Sequence, residues 1–335
     1  MIRIAVLGCG RIGRMHAANI EAHSRASLAT VYDIHQPSAT EVAAQYGVPA
    51  AASAEAVFAD ANVDAVLIAT ATETHASYIE QAVAAGKPVL CEKPIDLSLE
   101  RVKRCAEAIK GKNVPVQIGF NRRFDPGHRA AHIAAHSGEI GDLHQVVITS
   151  RDPEMPPRSY YEVAGGLMRD MTIHDFDLAR FMLGAEPVEV FAIAGRLIDP
   201  GLMEELDDHD SCMIILRTAC GKQCHINNSR TAVYGYDQRV ELLGTKGMLR
   251  SDNKRNNEMK RFSASTTEVA APYQFFFIER YTEAFMAEIS AFVDAIESGS
   301  EPEVGFEDGQ RALILAEAAY LSLRERRLVQ VSEIG

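Results

Sequence analysis

Short apolar runs alternate with helix-spaced segments through the first third of the chain. Ile2 to Leu7, Ala26 to Tyr32, Ala65 to Thr70, Pro88 to Cys91 and Val114 to Phe120 read as buried strands. Arg14 to about Ala22, Glu41 to Tyr46, Ala54 to Ala59, Ile79 to Ala85 and Leu99 to Ile109 read as the helices between them. Strands alternating with helices predict an α/β fold around a parallel sheet. A further helix is expected from about Gly127 to Ser137. Beyond it the period changes. Leu143 to Arg151, Val188 to Ile198, Ser211 to Arg217, Gln223 to Arg230 and Arg239 to Gly244 alternate apolar and polar positions. These predict antiparallel strands with one wet face. Gly244-Thr245-Lys246-Gly247 reads as a hairpin turn, Tyr281 to Glu297 and Gly305 to Leu323 as helices, and Arg327 to Val331 as a short strand.

One helix in the second part carries candidate chemistry. Glycines bracket the stretch from Gly165 to Gly184, and Leu167, Met171, Leu178 and Met182 recur at helical spacing. Asp170 and His174, four apart, then share a face. A carboxylate beside an imidazole favours the charged ring and fixes its orientation, as a proton-accepting histidine requires. The same pair could equally be a dipole-favoured aspartate near a satisfied histidine.

The first strand runs into Gly8-Cys9-Gly10-Arg11-Ile12-Gly13. This is G-x-G-x-x-G between strand and helix: one glycine for the turn, one for close approach of a pyrophosphate, one for packing of helix on strand. The second strand ends in Asp33, placed to take a ribose 2′-hydroxyl. Asp33 would repel a 2′-phosphate and Ile34 offers no positive charge, so the expected cofactor is NAD rather than NADP. Thr70, Thr72, His75, Glu92 and Lys93 all follow strand ends, where ligands bind in a doubly wound sheet. Lys93, stiffened by Pro94, can hydrogen-bond a substrate hydroxyl.

At 335 residues, two domains are the natural expectation. A net charge of −12 argues against nucleic acid or anionic membranes as partners. No apolar run is long enough to cross a bilayer, and the amino terminus lacks a signal-peptide pattern, so a cytoplasmic location is expected. The six cysteines are scattered and read as free thiols. His128, His132 and His136 form a four-residue stripe without a carboxylate and are read as packing or solvent-facing, with no metal expected. The acidic run Glu204 to Asp210 reads as a solvated turn, and Phe275-Phe276-Phe277 as core or subunit contact. An open antiparallel sheet needs its second face covered, which predicts a homo-oligomer.

The glycine loop, Thr70 to His75, Glu92-Lys93-Pro94, Gly119-Phe120-Asn121-Arg122-Arg123-Phe124-Asp125 and the Asp170…His174 helix together resemble the Gfo/Idh/MocA family of pyranose and polyol dehydrogenases. The resemblance covers nearly the whole chain. It implies a Rossmann domain over residues 1–120, and over 121–335 a substrate-binding and oligomerisation domain with a large open, mostly antiparallel sheet in a tetramer. It also implies that Lys93, Asp170 and His174 hold the reacting hydroxyl. Asp170 to Asp177 and Asn227 to Arg239 resemble the myo-inositol 2-dehydrogenase branch. That likeness implies a polyol pocket lined by Asn121, Arg122, Asp152, Tyr234 and Tyr236. The expected reaction is oxidation of a secondary hydroxyl of a cyclic polyol, myo-inositol C2 first, with NAD. Rival readings are a scyllo-inositol or pyranose dehydrogenase of the same frame, a non-catalytic nucleotide-sensing regulator, and a metal-dependent lyase using Asp170, His174 and Asp177.

Overall fold

A computed structural model describes all 335 residues. The predicted alternation yields β1 (Ile2–Leu7), α1 (Arg11–Ala22), β2 (Ala26–Tyr32), α2 (Gln36–Tyr46), α3 (Ala54–Ala59), β3 (Ala65–Ile68), α4 (Thr72–Ala84), β4 (Val89–Cys91), α5 (Leu99–Ile109) and β5 (Val116–Ile118). The strands form one parallel sheet in the order β2-β1-β3-β4-β5. Every residue of β3 is fully buried, as a strand covered on both faces requires. The strand order reverses between β1 and β3, so the crevice at their carboxyl ends is the ligand position of such a sheet.

The chain continues through a 3₁₀ turn (Asn121–Phe124), α6 (Pro126–His136), β6 (Leu143–Arg151), α7 (Arg158–Ala164), α8 (Leu167–Asp170), α9 (Thr172–Leu183), β7 (Pro187–Gly195) and α10 (Pro200–Glu205). It then forms β8 (Ser211–Thr218), β9 (Gln223–Ser229), β10 (Asp237–Gly244), β11 (Gly247–Ser251), β12 (Lys260–Arg261), β13 (Val269–Ala270), α11 (Phe277–Arg280), α12 (Thr282–Ser298), α13 (Phe306–Glu325) and β14 (Val329–Gln330). The larger sheet has seven strands in the order β11-β10-β6-β9-β8-β7-β14. Only β6 and β9 run parallel; the other pairings are antiparallel. One face buries Val146, Ile148, Val190, Ile214, Leu216, Ile226, Val240 and Leu242, with α9 packed on β6 and β9. The opposite face leaves Phe191, Ile193, Met213 and Ile215 exposed on adjacent strands.

The structure resolves into two units, Met1–Asn121 with Glu283–Leu313, and Arg122–Thr282 with Ile314–Gly335. The sequence reading puts 121–335 in one block, whereas residues 283–313 return to the first unit. The cause is hydrophobic: Ile289, Phe292 and Val293 of α12 complete the core formed by Ile4, Val6 and Leu67.

Two expectations change, and the reading of the histidine stripe holds. The single helix expected over 165–184 is interrupted at Met171, between α8 and α9. The acidic run is no solvated turn throughout, because Asp208 and Asp210 are buried. Asp208 accepts the Leu167 N–H at 3.0 Å, and Asp210 accepts those of Leu197, Ile198 and Asp199 at 2.9, 2.7 and 3.1 Å. That second set turns the backbone away after Gly195, which is why β7 stops short of Ile198. The histidine stripe packs: His132 stacks on Phe181 at 3.7 Å, His136 Nε2 meets the Met182 carbonyl, and His128 Nδ1 meets Ser251 Oγ at 2.9 Å. All six cysteines are free, and no helix is long and apolar enough to cross a membrane.

Candidate active site

The glycine loop of the first unit is shaped by backbone contacts. Gly8 has φ +98°, and a Cβ there would lie 2.3 Å from the Ala69 carbonyl oxygen. A Cβ on Gly13 would lie 1.8 Å from the Gly8 oxygen, so only glycine lets α1 come this close to β1. Gly10 has nothing within 4 Å of its Cβ position and caps α1 with no side-chain bond. Open space at a helix amino terminus is what a pyrophosphate requires. Arg11 and Ile12 open that helix. Asp33 Oδ2 accepts the Cys9 N–H at 2.6 Å and Oδ1 accepts the His35 N–H at 2.7 Å. The carboxylate therefore ties the loop to the end of β2, beside the expected ribose position. The residues present fit NAD.

The neighbouring strand ends are braced in the same way. Thr70 and Thr74 hydroxyls lie 2.6 Å apart, and Thr72 starts α4. His75 is buried, its ring nitrogens 2.8 Å from the Pro94 carbonyl oxygen and 3.1 Å from that of Thr70. Burial lowers its pKa. His75, expected in the cofactor site, ties the turn after Lys93 to the end of β3. Glu92 and Lys93 are half-buried after β4, and the Lys93–Pro94 peptide is cis. His16 Nε2 lies 2.7 Å from Glu92 Oε1. Asn121 is buried just beyond β5.

In the second unit, Asp170 closes α8 and His174 lies half-buried on the first turn of α9. Asp170 is held from two sides. The Tyr160 hydroxyl donates to its Oδ1 at 2.6 Å, and Arg230 Nη2 donates to its Oδ2 at 2.8 Å. Arg230 Nη1 also lies 3.5 Å from Asp152 Oδ2, so one buried guanidinium joins two carboxylates. It lies 5.4 Å from the Tyr161 ring centroid. Burial pushes the Asp152 carboxyl up, against the pull of Arg230. Arg230 was not among the expected site residues. It follows the inward-facing Cys224, Ile226 and Asn228 at alternate positions, and a charge in that register demands buried partners.

The remaining expected pocket residues divide. Tyr234 is half-exposed; its hydroxyl donates to Asp237 at 2.6 Å and accepts from Arg151 at 2.7 Å. Tyr236 is buried edge-on against Tyr281. Arg122 is buried with Nη1 2.6 Å from Asp175 and 3.1 Å from Ser150 Oγ, its charge spent on an internal pair. Asp177 accepts from Arg123 Nε at 2.8 Å, which removes it from the metal set of the lyase reading. No group of three or more His, Cys, Asp or Glu is arranged to hold a metal ion.

Residues 2–120 match the oxidoreductase family with an NAD-binding Rossmann fold, and residues 128–250 match the GFO/IDH/MocA C-terminal domain. The chain is 44% identical over 331 residues to inositol 2-dehydrogenase of Rhizobium meliloti, covering 99% of each. It is 40% identical over 334 residues to myo-inositol 2-dehydrogenase of Thermotoga maritima, again covering 99% of each. Its structure superposes with a TM-score of 0.91 on scyllo-inositol dehydrogenase from Lactobacillus casei with bound NAD(H) and scyllo-inositol, at 30% identity and 99% coverage of each chain.

Proposed function

This chain belongs to the GFO/IDH/MocA family of NAD-dependent oxidoreductases, and from that premise we propose that it oxidises the C2 hydroxyl of myo-inositol to the ketone. The observation that carries the substrate choice is the full-length likeness to inositol 2-dehydrogenases.

In this reading Gly8, Gly10, Arg11, Ile12, Gly13, Asp33, Thr70, Thr72, His75, Glu92 and Lys93 form the cofactor site. NAD supplies the acceptor for the hydride that leaves C2. His174 is the general base: its imidazole takes the hydroxyl proton as the C–O bond becomes a carbonyl. Asp170 orients that ring and stabilises its charged form, and Arg230 with Tyr160 holds Asp170. Lys93 donates a hydrogen bond to the same oxygen and steadies the negative charge that develops there. Asp152, Tyr234 and Tyr236, with Asn121, serve polyol hydroxyls, while Arg122 supports them through Asp175.

Scyllo-inositol is the second reading, favoured by the likeness to the Lactobacillus casei enzyme. A panel of inositol isomers and aldoses, followed by NADH absorbance, separates the two. The fastest NADH formation is expected with myo-inositol; faster turnover of scyllo-inositol or an aldose reverses the assignment. We also propose a homo-tetramer, supported by the exposed apolar residues Phe191, Ile193, Met213 and Ile215 on one sheet face.

A further inference from the structure

Glu288 lies on α12, in the first unit, and is completely buried. Neither carboxyl oxygen has a hydrogen-bond partner. Its surroundings can be traced element by element. Its own helix contributes Phe285 one turn before it and Ile289 and Phe292 after it. Helix α1 contributes His16, whose ring meets Phe285 edge-on at 5.6 Å. The end of β4 contributes Glu92, held by His16 at 2.7 Å. Strand β5 contributes Gln117, whose side-chain amide donates to the Glu288 carbonyl at 3.0 Å. Gly119 closes the cluster, since a Cβ there would lie 3.0 Å from Glu92 Oε2. Toward the carboxyl end of the helix, Asp294 and Glu297 are paired with Arg25.

A carboxylate in such a place, completely buried and without a donor, is strongly disfavoured against the neutral acid. Burial first, and the Glu92 charge second, push its carboxyl well above the ordinary 4.5. Through Glu92, which His16 of α1 holds, the cluster reaches the turn that carries Lys93.

We propose that Glu288 is a positioning residue of the cofactor edge, carried as a neutral acid beneath the Glu92–His16 pair so that Glu92 stays in place. This rests on the reading of Glu92 as part of the cofactor site. Loss of the Glu288 proton puts a second negative charge beside Glu92 in the interior. The two carboxylates separate, and the His16 contact that holds Glu92 is lost. Cofactor binding then weakens as pH rises. Stability follows the same sign: the folded chain keeps a proton that the unfolded chain has already released. The stability is therefore present below the ordinary glutamate pKa and is lost as pH rises through the raised folded value.

The test uses the full chain without polyol, so that it stands apart from the substrate assignment. NADH affinity is measured by fluorescence, and thermal midpoints are taken without cofactor, from neutral to alkaline pH. Wild type is expected to lose NADH affinity by about tenfold per pH unit once the proton is gone. Glu288→Gln, which keeps the shape and has no proton to lose, is expected to stay flat. Its thermal midpoint should exceed that of wild type by an amount that grows with pH. Identical pH profiles for the two proteins overturn the proposal. If Glu288→Gln does not fold, the thermal midpoint of Glu92→Gln decides: without the neighbouring charge Glu288 releases its proton more readily, so the alkaline loss should begin at lower pH, and an unmoved limb overturns the proposal.

Discussion

The cofactor edge and the Asp170 pocket are built from different materials. At Gly8, Gly10 and Gly13 the decisive quantity is backbone clearance, and Asp33 holds the loop through main-chain N–H groups. Around Asp170 the decisive quantity is charge: Arg230 joins Asp170 to Asp152, and Arg122 joins Asp175. Backbone clearance is local. It requires glycine at set offsets between a strand and a helix, so it stands in the sequence. A buried charge network is non-local. Its members come from the 3₁₀ turn, the segment after β6, α7, α8, α9 and the residue after β9, and no spacing along the chain connects them.

The sharpest break of this comparison is at His174. Replacement by alanine is expected to lower turnover by about a hundredfold or more. NADH affinity should stay unchanged, because no cofactor contact is removed. Equal turnover in wild type and variant removes the histidine from the chemistry.

Arg230→Ala comes next. It leaves Asp170 and Asp152 buried without their common cation, a change that costs about 3–5 kcal/mol. Denaturant titration should show the loss. A stability within experimental error of wild type would mean that the network does not hold the pocket.

Gly13→Ala tests the other material. Its Cβ would meet the Gly8 oxygen, a backbone atom that cannot swing away, so a cost of about 1–3 kcal/mol is expected together with weakened NADH binding. Unaltered NADH affinity would show that the loop tolerates displacement of α1.

The smallest effect is a slope. Burial pushes the His128 imidazole down to about 3. The unfolded chain takes up a proton near the ordinary 6.5 and the folded chain does not, so stability is lost as pH falls from there toward 3. This group contributes about 1.4 kcal/mol per pH unit at most. His128→Gln should flatten the acid limb of a stability–pH curve; an equally steep limb assigns the loss to other groups.

The strand–loop–helix unit and the alternating strands were legible because hydrophobic period and glycine punctuation are properties of short windows. The return of α12 to the first unit was not, since an amphipathic helix does not state which core its apolar face joins. The acidic run misled for a similar reason. Asp208 and Asp210 look solvated in sequence, yet their partners are backbone N–H groups at Leu167 and over 197–199. Arg230 carried a signal in its register, but its carboxylate partners could not be named before the fold.

The account rests on hydride leaving C2 of myo-inositol, and the label itself can be followed. With myo-inositol deuterated at C2 and unlabelled NAD, mass analysis of the NADH formed is predicted to show the deuterium transferred to the cofactor. Deuterium retained in the ketone product, or lost to solvent, would contradict it.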